Sequence, residues 1–415
     1  MAARSGSSYR WLILLTLVVG TAMINYANMI FSSRPVDMMA QFSMNQAQLT
    51  AISTIGVLPG AFFSVLLGNF FDKHSEKTMR FVGALLLFVA AAFMLWRVFA
   101  TSYVQLVIIT FVAGTLFLPT QVLPFKMIGA WFKREQMGVG MGIYGAAAGL
   151  GIMLAFALGG VYPNSFTALL SCAIGYVVAA ALWLFFVQMP SDIQVEAGPD
   201  DASAPQVDLG AVMRSKNMWL VMICSFVACS VPLLFNSYLV NAFLSKGMEP
   251  VMASMMGVVF NISLVTGAIL AGSVAGKLGR YNGLYMICCV VGGLFVLLTY
   301  LVPVGPLSFI CLACAGVISA GSLSLNLTRV GLLHLTGDFG AENNGIAGGM
   351  NNTAMGLGMF ILPTVTASIL GDNYLAVYIT IFAFFVLIGF IGKIPMPELG
   401  ERGELARKMA GKLQS

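Results

Sequence analysis

Two cations stand inside otherwise apolar stretches of the chain. Lys126 is followed by MIGAWF before the next charge at Lys133, and Arg329 is followed by VGLLHL. Each lies more than a helical turn inside its apolar boundary, and the two are 203 residues apart. Around Arg329, the residues Ser319, Ser322 and Asn326 fall at helical spacing on one face. Thr115, Pro119, Val122 and Lys126 form the corresponding face of the earlier stretch. Charge deep in hydrocarbon is costly, so where it occurs and where it does not are both informative. All sixteen Asp and Glu lie in loops, at helix ends or in tails. His74 lies in a loop and His334 near the end of a stretch. Neither a carboxylate relay for protons nor a counter-charge for a cationic solute is available within the apolar segments. The competing reading of Lys126 and Arg329 is that both snorkel to headgroups.

Neutral hydrogen-bonding groups accompany them. Asn25, Tyr26 and Asn28 sit in the first apolar stretch; Asn236, Ser237, Tyr238 and Asn241 sit in the seventh. Amides and phenols donate to carboxylate oxygens without adding charge. Tyr144, Asn261, Asn351 and Asn352 are further candidates, and hydrogen bonding between helices is the alternative for all of them. Arg34 and Asp37 read as an ordinary exposed pair rather than a gate. The seven cysteines are odd in number and fall in apolar runs, so they read as small buried residues, including the Cys311/Cys314 pair. No metal and no cofactor are expected.

The elements that must position these groups follow from composition. Of the 415 residues, 59% are hydrophobic and 9% charged, with mean hydropathy +0.91. About 25% charged is usual for a soluble domain. A soluble enzyme, a nucleic-acid binder and a disordered scaffold are thereby disfavoured. Twelve stretches are long enough to span a bilayer as helices: 11–33, 47–70, 80–100, 103–128, 136–160, 165–188, 217–242, 251–275, 283–303, 306–332, 345–370 and 373–392. MAARSGSSYRW leads into a retained first span rather than a cleaved signal. With the N-terminus inside, sixteen Lys and Arg fall on the cytoplasmic side and three, Arg34, Arg97 and Lys246, outside, which places both termini in the cytoplasm. Residues 189–215, acidic and proline-bearing, read as a cytoplasmic linker. It separates a six-helix half at 1–188 from a second at 216–392, followed by a cytoplasmic tail at 393–415. Within the linker, DLGAVMRSK reads as a short surface helix.

The halves repeat one another. Gly138, Gly142, Gly149 and Gly151 recur as Gly345, Gly349, Gly356 and Gly358 at an offset of 207, and Gly68 and Lys73 recur as Gly272 and Lys277 at an offset of 204. Two six-helix halves in parallel repeat are one large transporter architecture. On these residues the chain resembles the major facilitator superfamily over nearly its whole length. That family's Gly-x3-Asp-(Arg/Lys)-x-Gly-(Arg/Lys)-(Arg/Lys) signature is met by Gly68, Asp72, Lys73 and Lys77, while Ser75 and Glu76 depart from it. The second copy keeps Gly272, Lys277, Gly279 and Arg280 and has Gly276 where the acid belongs.

The resemblance implies an all-α polytopic membrane protein with twelve transmembrane helices in two pseudo-symmetric halves. It implies a gating set of Gly68, Asp72, Lys73, Lys77, Arg80, Arg134, Lys277 and Arg280, with Asp72 pairing Lys133 or Arg134 when that side closes. It implies small-residue faces between the halves on spans 2, 5, 8 and 11, including Gly56, Gly60, Gly145, Gly257 and Gly267. It also places spans 1, 4, 7 and 10 around a central cavity. Two cations facing one cavity without a fixed acid make an anion site.

The expected function is therefore secondary transport of a small anion, an organic carboxylate foremost, by exchange, by facilitated transport or with a substrate-borne proton. Candidate substrate contacts are Lys126, Arg329, Asn326, Ser322, Asn25, Tyr26, Asn28, Asn236, Tyr238, Asn241 and Tyr144. The pattern is similar to the oxalate/formate-type and nitrate/nitrite-type branches. A proton-coupled drug or neutral-solute exporter is the alternative, although the span-5 Gly-Pro motif of drug/proton antiporters is missing. A membrane-embedded enzyme or sensor is the alternative from another class; no HExxH, paired intramembrane carboxylates, Ser/His/Asp set or phosphate loop supports it. The expected partners are the anion and the lipid bilayer, not nucleic acid. The protein is expected to work as a monomer in a plasma membrane of the bacterial inner-membrane kind.

Overall fold

The computed structural model describes residues 8–72, 74, 76–132, 134–188, 209–340 and 343–398. Lys73, Lys133, residues 189–208 of the linker and 399–415 of the tail lie outside them. So do the side chains of Asp72 and Arg134, and the surroundings of Gly138, Gly142 and Gly345. Among the described residues all regular structure is helical. The chain divides into two compact units, residues 1–202 and 203–415.

The first unit holds α1 (Tyr9–Ser33), α2 (Pro35–Phe42), α3 (Gln46–Thr54), α4 (Leu58–Asp72), α5 (Glu76–Val98), α6 (Tyr103–Leu116), α7 (Pro119–Val122), α8 (Pro124–Trp131), α9 (Arg134–Gly159) and α10 (Ser165–Phe186). The second holds α11 (Leu209–Arg214), α12 (Lys216–Leu244), α13 (Pro250–Leu278), α14 (Asn282–Leu301), α15 (Pro306–Leu332), α16 (Asn344–Leu370) and α17 (Tyr374–Lys393). Among the described residues, ten helical segments are long and apolar enough to cross a membrane, one of them, Gln46–Ser64, running through α3 into α4; two shorter apolar segments, Tyr103–Leu116 and Ile143–Gly159 of α9, join them.

The fourth stretch departs from its expected form. Residues 103–128 were expected as one span, but α6, α7 and α8 divide it. Pro119 and Pro124 each lack an N–H and crowd the preceding turn, so each restarts the helix as its first residue. Lys126 thus rides on an eight-residue helical segment that Pro124 opens.

Helix starts follow local chemistry. Asn45 and Gln48 form a reciprocal capping box at α3. Ser102, Asn164 and Asn373 each accept an N–H from the first turn of α6, α10 and α17. Helix α11 realises the short helix expected at the end of the linker, but it is no plain surface element. Val212 is buried with Met218, Val221, Val330, Leu333, Phe339, Ala347 and Met396 in one apolar cluster of the second unit. Next to it, Ser215 Oγ accepts the Met218 N–H at 3.1 Å and donates to Asp338 at 2.6 Å, while Asn217 donates to the same carboxylate oxygen at 3.0 Å. Ser215→Ala should therefore cost about 1 kcal/mol, read as a small fall in the unfolding temperature of the purified protein.

The repeated glycines act within each unit. A Cβ on Gly151 of α9 would lie 2.0 Å from the Ala22 carbonyl oxygen of α1, and one on Gly358 of α16 would lie 2.3 Å from the Phe226 carbonyl oxygen of α12. The 207-residue repeat thus encodes the same close crossing twice. Gly56 and Gly267, expected on faces between the halves, also pack inside their own units. A Cβ on Gly56 would meet Asn28 Oδ1 at 2.3 Å, and one on Gly267 would meet the Val317 carbonyl oxygen at 2.0 Å. Gly145, Gly348 and Gly349 have nothing within 4 Å of the Cβ position.

Candidate functional site

In the second unit the α15 face predicted from spacing forms, and it is buried. Ser319, Ser322, Asn326 and Arg329 are all buried, with Arg329 at 0% exposure. The Arg329 guanidinium lies 3.9 Å above the centre of the Tyr285 ring of α14. Its Nη1 donates to the Gly392 carbonyl of α17 at 2.8 Å, and its Nη2 donates to Asn326 Oδ1. Asn326 Nδ2 in turn donates to the Val221 carbonyl at 3.0 Å and to Ser225 Oγ at 2.6 Å, both on α12. Gly392 makes room for this stack, since a Cβ there would lie 2.4 Å from the Tyr285 ring and 2.9 Å from Arg329 Nη1. Arg329 Nε has no protein partner among the described residues. Among the described residues the partners are neutral: two carbonyl-type oxygens, an aromatic face and the Cys224 thiol. Arg329 does not snorkel. It is a desolvated, stacked cation, the setting in which a charge-assisted contact is strongest.

Lys126 occupies different surroundings, although the repeat relates the two positions. Its Nζ lies 3.4 Å from the Phe71 carbonyl, in the last turn of α4 and next to Asp72. A cation there complements the partial negative charge of a helix C-terminus. Lys126 and the expected gate motif therefore meet, and Lys126 and Arg329 each belong to their own unit's framework.

The remaining candidates are distributed. Asn25 Nδ2 donates to the Thr21 carbonyl one turn back at 2.9 Å. Tyr26 OH lies 2.8 Å from Tyr162 OH and 2.5 Å from Ser171 Oγ, tying α1 to α10 and to the segment after α9. Asn28 packs over Gly56, and its Nδ2 is buried without a protein partner among the described residues. Tyr144 OH joins Thr21 Oγ1 and the Thr120 carbonyl, each at 3.3 Å, so α1, α7 and α9 share one polar cluster. In the second unit Asn236 Oδ1 accepts from Asn261 Nδ2 at 2.9 Å. Tyr238 OH donates to the Gly371 carbonyl at 2.9 Å. Asn241 is buried on the same helix.

Of the gating set, Lys77, Lys277 and Arg280 are exposed. Arg80 is engaged elsewhere: its Nε donates to the Leu184 carbonyl at 2.6 Å and its Nη2 to Phe185 at 3.2 Å. Tyr9 OH and Trp131 Nε1 reach the Phe186 and Gln188 carbonyls, at 2.9 and 2.8 Å. Arg80 and Tyr9 thus satisfy the last carbonyls of α10, which a helix end leaves without internal partners, and Trp131 takes a carbonyl just beyond it. Arg80→Ala should therefore destabilise the first unit, seen as faster proteolysis near residue 188 with unchanged substrate affinity. Arg34, read as part of an exposed pair, does bond Asp37, but it also donates to the Gly159 carbonyl at 2.9 Å and to that of Tyr162.

Sequence reasoning missed Arg97, which charge placement assigned to the outside. It is fully buried in the last turn of α5. Tyr285 and Gly392 were missed because an aromatic or a glycine in an apolar run carries no distinguishing signal.

With this geometry in place, comparison with known proteins gives the class. The chain matches the Major Facilitator Superfamily over residues 12–363, and it belongs to that family. It is a multi-pass membrane transporter, not an enzyme. A probable nitrate/nitrite antiporter, NarK1 of Thermus thermophilus, is 29% identical over 120 residues; the match covers 28% of this chain and spans 26% of that protein's length. Among solved structures, a nucleoside transporter NupG variant is similar with TM-score 0.73 at 15% identity, over 93% of this chain and 99% of that one. A D-xylose–proton symporter is similar with TM-score 0.72 at 14% identity, over 94% and 99%. A bacterial homologue of the human lysosomal transporter Spinster, inward-facing and occupied, follows at 0.69 and 12%, over 94% and 97%. At these identities the structures show the shared fold.

Proposed function

We propose that this secondary transporter carries a small anion by alternating access, by exchange or with a proton riding on the substrate, across a plasma membrane with both termini in the cytoplasm. The observation that carries the reading is the Arg329 guanidinium, wholly buried and stacked, with no carboxylate among its partners in the described residues. An anion entering beside it gains a charge-assisted hydrogen bond from Nε, and Asn326 can turn its amide from Arg329 to the guest. A cation or a drug bearing an ammonium group finds no counter-charge there. The sequence relative described as a nitrate/nitrite antiporter supports the same direction. Organic carboxylates and small inorganic oxyanions present the same planar acceptor pair, so both belong to the candidate class.

Lys126 and Asp72 enter at the gate. Asp72→Asn should slow turnover more than it weakens binding, because it removes a charge beside the α4 terminus that Lys126 faces. Cysteine accessibility from the two sides of the membrane checks this; an unchanged pattern with unchanged turnover contradicts it. The substrate class is tested by ligand-dependent thermal stabilisation of the purified protein. Nitrate, nitrite, formate and oxalate are compared with xylose, a nucleoside and a quaternary ammonium ion. A saturable shift with one of the anions is expected, and a shift with neutral or cationic solutes alone refutes the proposal.

A further inference from the structure

Arg97 poses a problem that the transport reading does not use. It is one of the largest side chains in the protein with no exposed surface, and it sits between α1, α5 and α10. Its Nη1 donates to the Ala27 carbonyl at 3.1 Å, and the guanidinium lies 5.1 Å from the centre of the Phe31 ring. Cys172 of α10, whose Sγ lies within hydrogen-bonding reach of the guanidinium, and Tyr176 of the same helix are its other neighbours. Nε and Nη2 have no protein acceptor among the described residues.

Those two nitrogens form one edge of the guanidinium, with parallel N–H bonds. That edge is the fork with which arginine grips an anion side-on. An arginine does not shed its proton to escape burial. One carbonyl dipole, one ring face, a thiol and a phenol are all neutral and leave the charge uncompensated. Asp37, the acid nearest in sequence on α1's side, is taken by Arg34. Arg329 differs on this point, since Asn326 accepts from its Nη2 in this structure and only its Nε is without a partner among the described residues.

We propose that the Nε–Nη2 edge of Arg97 holds a small monovalent anion inside the first unit, at a site separate from Arg329. Water could accept the two N–H bonds but brings no counter-charge; an anion does both. Because Arg97 has no exposed surface and offers one fork and one charge, the guests that match it are a halide or a small planar oxyanion. Arg97 is thus an anion ligand rather than an exterior topology charge. The inference does not depend on the identity of the transported solute.

Equilibrium binding of radiolabelled chloride to the full-length protein in detergent tests it, in wild type, Arg97→Gln, Arg97→Lys and Arg329→Gln. Wild type and Arg329→Gln are expected to bind one chloride per chain. Arg97→Gln should lose at least tenfold in affinity, and Arg97→Lys, which keeps the charge and loses the fork, should fall between. Thermal unfolding checks that each variant is folded, and Arg97→Lys keeps the test decisive if the glutamine variant is not. Excess unlabelled nitrate should displace the chloride in Arg329→Gln, because a planar oxyanion fits the same fork. No chloride bound by wild type, equal binding by wild type and Arg97→Lys, or binding lost in Arg329→Gln but kept in Arg97→Gln would each overturn the assignment.

Discussion

Arg329→Gln is expected to reduce transport about 10- to 150-fold, the loss of a charge-assisted hydrogen bond of roughly 1.5–3 kcal/mol in a desolvated site. The substitution also leaves the Gly392 carbonyl and Asn326 Oδ1 without their present donors, so some loss of stability accompanies it. Arg329→Lys separates the two effects. An ammonium keeps the charge and can satisfy one oxygen, but it cannot lie flat on Tyr285 and reach Asn326 together. It should fold, retain partial transport and bind substrate more weakly than wild type. Gly392→Ala should behave like a mild form of the same defect, because a methyl group there meets both the Tyr285 ring and Arg329. Uptake, unfolding temperature and ligand-induced stabilisation measured on the same preparations check the set. If Arg329→Gln transports normally while folded, Arg329 is a packing residue and the anion reading loses its basis.

Gly151→Ala and Gly358→Ala should be among the most damaging methyl additions to the framework, each costing more than about 3 kcal/mol. Ordinary overpacking costs roughly 1–3 kcal/mol when side chains can move, but here the obstacle is a backbone carbonyl of the crossing helix, at 2.0 and 2.3 Å. The two should be alike because the repeat builds the same crossing in each unit. Gly145→Ala and Gly349→Ala, with nothing within 4 Å, should leave stability unchanged or slightly raised. Thermal unfolding of the four variants checks this directly. Equal tolerance at all four positions would contradict the close crossings of α9 on α1 and of α16 on α12.

The helical class, the membrane setting and the family were legible in the chain because apolar length, helical spacing and the glycine repeat are one-dimensional signals. Break points were less so: Pro119 and Pro124 were visible, but a proline alone does not say whether a span bends, continues or restarts, as it does here at both. The α15 face was read correctly as a face, since Ser322, Asn326 and Arg329 follow helical spacing. Its direction could not be read, because nothing local distinguishes a side chain aimed at Tyr285 and Gly392 from one aimed at a cavity. Equivalent positions misled in the same way. Lys126 and Arg329 match in the repeat yet reach α4 in one unit and α14 and α17 in the other. Arg97 shows the limit of counting charges, for an arginine in the last turn of an apolar helix looks like a boundary until its neighbours enclose it.

The central claim, that the solute is a small anion held at Arg329, is tested most directly by counterflow in proteoliposomes. Vesicles preloaded with unlabelled nitrate, nitrite, formate or oxalate, and in parallel with xylose or a nucleoside, are diluted into the matching labelled solute at trace concentration. Transient accumulation of label is expected for at least one anion, lost in Arg329→Gln and partly restored in Arg329→Lys. Accumulation of a neutral solute alone, or of an anion unaffected by Arg329→Gln, would contradict it.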